Sequence, residues 1–515
     1  MIRHQFVVGV IIWVMILLLG MNGRITRAES AAAGTKQTAV YGDELDAFID
    51  RQMREYKIPG LALAVVRDGA VEYLKGYGSA NPTGEPVTPE TPFLLASVSK
   101  SFTALGVMQM VKAGKIELDA PVQKYLPWFT VASGDGAEIT VAHLLYHTSG
   151  FSEFDGQQMN LRPDHPDGLE IGVRDLSRLH LKFRPGESWE YSNINYNVLG
   201  LLIQEVSGQR YEAYIYDHMI EPLGMADSYT SLTSAQAGNA AVGYYPFMGM
   251  PQKVDTHMPA TVIPAAGLWS SAADMSRYLI AHLGDGSSLG LTPQGLAQYH
   301  APGAEIEPGF GYAMGWFRSA NVLDPEFLKS LNTGLEPTGD LHVLWHEGGW
   351  KGYKSIAFLM PAQDFGVILL MNMEDPTITS VFGYFAWEIT LIANGGDAYY
   401  FQPSEETIVR YSRWIFSGLT LFLLAGLLWS IRLWKRNSLE RYAWMNVLPL
   451  LLNLGLLGYL YLKLLPENDA SIRLLLYGTV DLGILFILTT VFSVLWILVT
   501  IGMLVKARYK WTVQP

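Results

Sequence analysis

Ser97-Val98-Ser99-Lys100 places a hydroxyl and an amine three residues apart at the expected start of a helix. Residues at that spacing share a helix face, with Cβ atoms about 5–6 Å apart. A serine hydroxyl is a poor nucleophile until a base takes its proton. The helix N-terminus favours a developing alkoxide over an ammonium ion, and burial lowers a lysine pKa further. The pair therefore offers a nucleophile and a neutral amine as its base. A bare S-x-x-K match is common by chance, so two further segments carry the reading. Tyr191-Ser192-Asn193 follows the turn-rich Phe183-Arg184-Pro185-Gly186-Glu187. A phenol there relays protons between nucleophile and leaving group if a nearby cation lowers its pKa from about 10. Asn193 brings both a donor and an acceptor for a substrate amide. His346-Glu347-Gly348-Gly349 falls on an expected edge strand, where glycine admits a substrate backbone and a peptide N–H serves as an oxyanion donor.

Several elements must position these groups. Leu45, Phe48, Ile49 and Met53 share one face of a helix over 43–56. Residues 61–67 and 70–76 flank Asp68-Gly69, the turn pair of a tight hairpin. The helix from Ser97 should end at Gly114. Further helices are expected over 195–206, 211–220 and 272–282, the last with Ser271 and Asp274 in capping-box spacing. Strands are expected at 311–317, 343–347, 354–360 and 365–371, before a helix over 377–393. Strands at both ends with helices between predict an α+β domain, an antiparallel sheet completed by the N- and C-terminal segments around a helical insertion.

With these motifs in order, the chain resembles the penicillin-recognising serine hydrolases, in the branch of class C β-lactamases and D-amino-acid peptidases. The likeness covers about residues 40–395. It extends to Leu94–Phe102, to Ile139-Thr140-Val141-Ala142-His143-Leu144-Leu145-Tyr146-His147-Thr148-Ser149-Gly150, and to Pro264-Ala265-Ala266-Gly267-Leu268. The resemblance implies a β-lactamase/transpeptidase-like fold and an acyl-enzyme at Ser97. Lys100 and Tyr191 would share general-base and general-acid work, with an oxyanion hole from the backbone N–H groups of Ser97 and Gly349. Asn193, His346 and Gly348 would contact substrate. Many relatives carry Lys-Thr-Gly or Lys-Ser-Gly where this chain has His346-Glu347-Gly348. A weaker cation beside a carboxylate should lower affinity for a free carboxylate or a β-lactam. The layout also resembles membrane-anchored peptidases that activate nonribosomal-peptide prodrugs, although those carry Ser where this chain has Asn193.

Other signals carry less. Gly286-Ser287-Ser288-Leu289-Gly290 fits G-x-S-x-G but follows a helix and an Asp-Gly turn, not a strand, so it reads as loop. His143 and His147 are four apart, yet Leu144 stands where a zinc protease needs glutamate. They read as structural hydrogen-bonding residues, and the chemistry requires neither metal nor cofactor.

The chain has 515 residues, half of them apolar and 16% charged, with no cysteine. That excludes a disordered polar chain, a disulfide scaffold and a cysteine nucleophile. The formal charge of −12 divides unevenly: residues 411–515 carry +6 and the rest −18. An acidic front and a basic, apolar tail argue against nucleic-acid binding and for a membrane protein with a water-facing domain. Arg3 followed by the apolar run 6–21 reads as an export signal or signal anchor within 1–33. Runs at 414–431, 443–462 and 482–505 predict three membrane helices within 411–515. Arg432, Lys435, Arg436 and Arg441 in the first loop and Lys506, Arg508 and Lys510 at the end outnumber Lys463 and Arg473 in the second loop. The bias makes this a multi-pass cell-membrane protein whose hydrolase domain, 34–400, lies on the extracytoplasmic side. Asn446, Pro449 and Asn453 within the second run read as helix–helix contacts. The expected partners are a lipid bilayer and a small peptide or peptide-like substrate; oligomeric state is left open. The rival activities are an esterase or β-lactamase of the same fold, and a penicillin-binding sensor without turnover.

Overall fold

Asp68 and Gly69 have φ of 50° and 71°, the positive pair that lets two strands reverse with the right twist. They join β1 (Gly60–Arg67) to β2 (Ala70–Gly78). The computed structural model describes residues 41–160, 164–320, 342–396, 404–435, 447–464 and 480–513. The expected signal segment 1–33, the start of the second run with Asn446, and the loop residues Arg436, Arg441 and Arg473 lie outside the described residues. Short strands β3 (Phe93–Leu94) and β6 (Trp269–Ser270) pair with each other, as do β4 (Tyr244–Phe247) and β5 (Met250–Lys253). The principal sheet is completed by β7 (Ala304–Glu307), β8 (Phe310–Tyr312), β9 (Phe317–Ala320), β10 (His342–Trp350), β11 (Tyr353–Met360) and β12 (Phe365–Met371). Its order is β2-β1-β12-β11-β10-β9-β8-β7, with antiparallel pairing. The segment expected as one strand over 311–317 instead turns at Gly315, φ 79°, into two.

Alternation along β1 sets the layers. Leu61, Leu63 and Val65 pack with Phe48 and Ile49 of the Tyr41–Tyr56 helix and with Phe382, Phe385 and Ile389 of the Pro376–Ala393 helix. Ala62, Ala64 and Val66 face the other way, onto a larger core with the Ser99–Lys112, Asn193–Ser207 and Ala272–Leu283 helices. Small residues on that face let the helical layer approach closely. The Ser99–Lys112 helix ends as expected, with Gly114 at φ 68°, and Ser271 Oγ accepts the Asp274 N–H at 3.1 Å.

The described residues form two units, one within 34–246 and 251–401, the other holding 402–515 and the Phe247–Met250 turn. In the second, two helices are long and apolar enough to cross a membrane, Arg413–Lys435 and Asp481–Lys506. The middle run forms only a shorter apolar helix, Leu450–Leu462, among the described residues. Polar groups bridge the long pair: Arg413 Nε donates to Asp481 Oδ2 at 2.6 Å, and Thr420 and Thr489 hydroxyls lie 2.8 Å apart. Asn453 Oδ1 accepts from Ser493 Oγ at 3.0 Å, a helix–helix bond of the expected kind.

Candidate active site

The turn that carries Ser97 is a short 3₁₀ segment, Ala96–Val98, running directly into the Ser99–Lys112 helix. Ala96 has φ 45°, a conformation that costs a residue with a side chain energy and persists only when neighbours enforce it. The enforcement comes from the sheet. Ser355 Oγ of β11 donates to Leu95 O at 2.6 Å. Gly348 of β10 packs so closely that an added Cβ would lie 2.1 Å from that oxygen. Gly348 thus admits the nucleophile turn to the strand, and Gly349, its exposed neighbour, sits at the same junction. Among the described residues β10 pairs with β9 only from His342 to Trp345, so β9 leaves uncovered the edge of β10 over 346–350.

Lys100 is buried, and its Nζ lies 3.1 Å from Ser97 Oγ, 2.7 Å from Asn193 Oδ1 and 2.9 Å from Ala265 O. Burial pushes its pKa well below the ordinary lysine range. An uncharged amine has two N–H bonds and one lone pair. In that form the two carbonyl oxygens, which only accept, can take the N–H bonds and leave the lone pair for the Ser97 proton. Asn193 begins the Asn193–Ser207 helix, and its Nδ2 donates to Asn160 Oδ1 at 3.4 Å, turning its oxygen toward Lys100. Sequence makes it a contact for a substrate amide; in the structure its oxygen also holds Lys100.

Tyr191 lies with its ring centroid 4.8 Å from Lys100 Nζ. Burial raises the phenol above its usual range, a hydrogen bond with Ser97 pulls it down, and the Glu153 carboxylate adds to the rise. The lowering expected from a nearby cation does not dominate: burial outweighs it and moves the phenol up. The resting group is a phenol, suited to donating a proton. Ser97, Lys100 and Tyr191, from two segments ninety residues apart in sequence, thus converge.

His346 corrects a second expectation. Only 1% exposed, it lies 3.1 Å from the Tyr312 hydroxyl through Nε2 and 2.6 Å from Glu347 O through Nδ1. Burial, with Lys100 nearby, pushes its pKa down to about 3. It is a neutral ring against Tyr191, Tyr312 and Phe317, not a weak cation. Glu347 points to the opposite face, toward Gly383 of the C-terminal helix, and pairs with Lys354 at 3.2 Å. Glu374 lies on that face too: its Oε1 would be 3.2 Å from a Cβ at Gly349, and burial raises it to about 7.

Several contributors had no local signal: the Ala265 carbonyl, Asn160, Tyr312 and Ser355. Ala265 lay in a stretch noted only for resemblance. Ser287 and Ser288 sit in an exposed 3₁₀ turn, as the loop reading requires. His143 caps a helix with Thr140, and no metal-holding cluster occurs among the described residues.

The comparisons agree with this geometry. A sequence profile of the beta-lactamase family matches residues 45–380. Protein flp of Staphylococcus aureus strain MW2 is 28% identical over 336 residues, 64% of this chain and 63% of flp. Esterase EstB of Burkholderia gladioli is 35% identical over 223 residues, 41% of this chain and 56% of EstB. The matched region therefore spans less than two thirds of these relatives' length. The octameric penicillin-binding protein homologue from Pyrococcus abyssi superposes with a TM-score of 0.56 at 28% identity, covering 68% of this chain and 76% of that one. A class C beta-lactamase gives 0.57 at 24% identity over 70% and 98%, a likeness of fold. The chain belongs to the beta-lactamase family, among the penicillin-recognising serine hydrolases.

Proposed function

We propose that this protein is an exported, membrane-anchored serine hydrolase that opens an amide bond beside a D-amino acid through an acyl-enzyme at Ser97. The observation that carries the reading is the buried Lys100 amine, within hydrogen-bonding distance of Ser97 Oγ, Asn193 Oδ1 and Ala265 O at once. Lys100 takes the hydroxyl proton as Ser97 Oγ bonds to the carbonyl carbon. Oxyanion donors from the backbone of Ser97 and Gly349 stabilise the tetrahedral adduct. The C–N bond then breaks as Tyr191 gives its phenol proton to the leaving nitrogen. The Lys100 ammonium returns a proton to the phenolate, and the restored amine activates the water that releases the acid and frees Ser97.

The neutral, buried His346 and the averted Glu347 support a substrate without a free carboxylate at the scissile end. An N-acylated D-amino-acid amide fits better than a β-lactam or a carboxypeptidase substrate. The two long apolar helices support the anchoring, with the first loop inside the cell and the hydrolase domain outside. Similarity to EstB favours ester hydrolysis as the second reading. Purified full-length protein assayed with D-aminoacyl nitroanilides, L-counterparts, nitrophenyl esters and nitrocefin separates them. Preference for the D-amide is expected; faster turnover of esters alone would make it an esterase, and rapid nitrocefin turnover a β-lactamase.

A further inference from the structure

We infer that His147 positions Tyr191, gripping the chain on both sides of the phenol through an imidazole locked with its proton on Nε2. The Glu190 N–H donates to His147 O at 3.0 Å and the Ser192 N–H to His147 Nδ1 at 3.2 Å. One residue thereby holds both peptide neighbours of Tyr191. The tautomer follows from the network behind it. Ser149 Oγ donates to Asn195 Oδ1 at 2.5 Å, so the Asn195 amide turns its NH₂ to His147 Nδ1, 2.8 Å away. With two donors on Nδ1, that nitrogen carries no proton and Nε2 does.

The ring is fully buried, its centroid 4.5 Å from that of Tyr191, 4.7 Å from Tyr312 and 5.2 Å from Tyr196. His147 Nε2 lies buried with no hydrogen-bond partner among the described residues. The titratable groups facing the ring are Lys100, His346, Tyr191, Tyr196 and Tyr312. Burial above all disfavours an imidazolium. Its own φ of 59° is a region where Asn and His are enriched among non-glycine residues. A phenol that hands over a proton must sit in register with Ser97 Oγ and the leaving atom, and an error of about 1 Å costs on the order of a hundredfold in rate. His147 and Asn195 supply that register without touching substrate.

The inference rests on Tyr191 as proton carrier, and the test keeps the two apart. Full-length His147→Leu, His147→Asn, Asn195→Ala and Tyr191→Phe variants are assayed with a nitrophenyl ester across pH. Melting temperature and fluorophosphonate labelling of Ser97 check the fold. His147→Leu should lower kcat about tenfold to a hundredfold with KM within about threefold, and shift the alkaline limb of the kcat profile. His147→Asn, which restores an acceptor near the Nδ1 position and tolerates the backbone, should recover most of the loss. A folded His147→Leu with unaltered kcat and pH profile overturns the inference, as does failure of Asn to rescue. If His147→Leu does not fold, Asn195→Ala decides, with severalfold loss and the same shift expected and an unchanged profile refuting it. Unaltered turnover in Tyr191→Phe would instead sink the proton-carrier reading itself.

Discussion

Two adjacent glycines should respond oppositely to one methyl group. A Cβ at Gly348 would lie 2.1 Å from Leu95 O, 2.3 Å from Ser355 Oγ and 3.1 Å from Ala96 Cβ. Ordinary contact begins at about 3.5 Å, so β10 and the nucleophile turn must separate by more than about 1 Å. Ser355 can rotate, at the cost of its bond to Leu95 O; a backbone oxygen cannot. Overpacking of this kind costs about 1–3 kcal/mol of stability. The same separation moves Ser97 from Gly349 across the proposed oxyanion hole, where misplacement by about 1 Å costs on the order of a hundredfold. At Gly349 the nearest atom to an added Cβ is Glu374 Oε1, at 3.2 Å, the end of a side chain that needs to yield only a few tenths of an ångström. Gly348→Ala should therefore lose about a hundredfold in kcat/KM on a nitrophenyl ester and melt several degrees lower. Gly349→Ala should lose no more than severalfold and keep its melting temperature. The reasoning fails if Gly348→Ala stays within about threefold of the parent, or if Gly349→Ala is the more damaging.

Ser97→Ala should abolish turnover, read with both ester and amide, while leaving the melting temperature within a degree or two. Lys100 binds its proton less readily folded than unfolded, so the parent gains stability as pH rises toward the ordinary lysine range. Lys100→Met should remove that gain: the mutant-minus-parent melting difference should fall steadily from pH 7 to 10, and a flat difference would count against a neutral amine. Glu374, raised by burial to about 7, binds its proton more readily folded, so stability is fully present below the ordinary carboxylate pKa and falls as pH rises through about 7. Glu374→Gln should match the parent near pH 4.5 and exceed it near pH 8, by thermal melting of the full chain. Asp481→Asn removes the carboxylate from a pair with Arg413 that is nearly fully buried. It should lower stability, seen as a lower unfolding temperature in detergent with ester turnover per folded molecule unchanged.

What the sequence revealed and what it hid divide along a physical line. Ser97 and Lys100 are legible because their relation is local: spacing on one helix fixes it. The β1–β2 hairpin is legible because Asp68-Gly69 carries its own backbone requirement. Groups whose state depends on distant segments are not. His346 looks like a cation in sequence and becomes a neutral ring because Tyr312 and a layer of aromatics close over it. Asn193 looks only like a substrate contact, and its hold on Lys100 is hidden because Asn160, thirty-three residues earlier, turns its amide. Tyr191 is expected to need a cation to lower its pKa, yet burial pushes Lys100 down and Tyr191 up. The His346, Lys100 and Tyr191 outcomes are linked, since the same exclusion of water acts on all three. Desolvation favours the uncharged form of each. In the proposed reaction charge separates only when Ser97 attacks, and the Lys100 ammonium, the Tyr191 hydroxyl and the glycine-lined strand would then receive it.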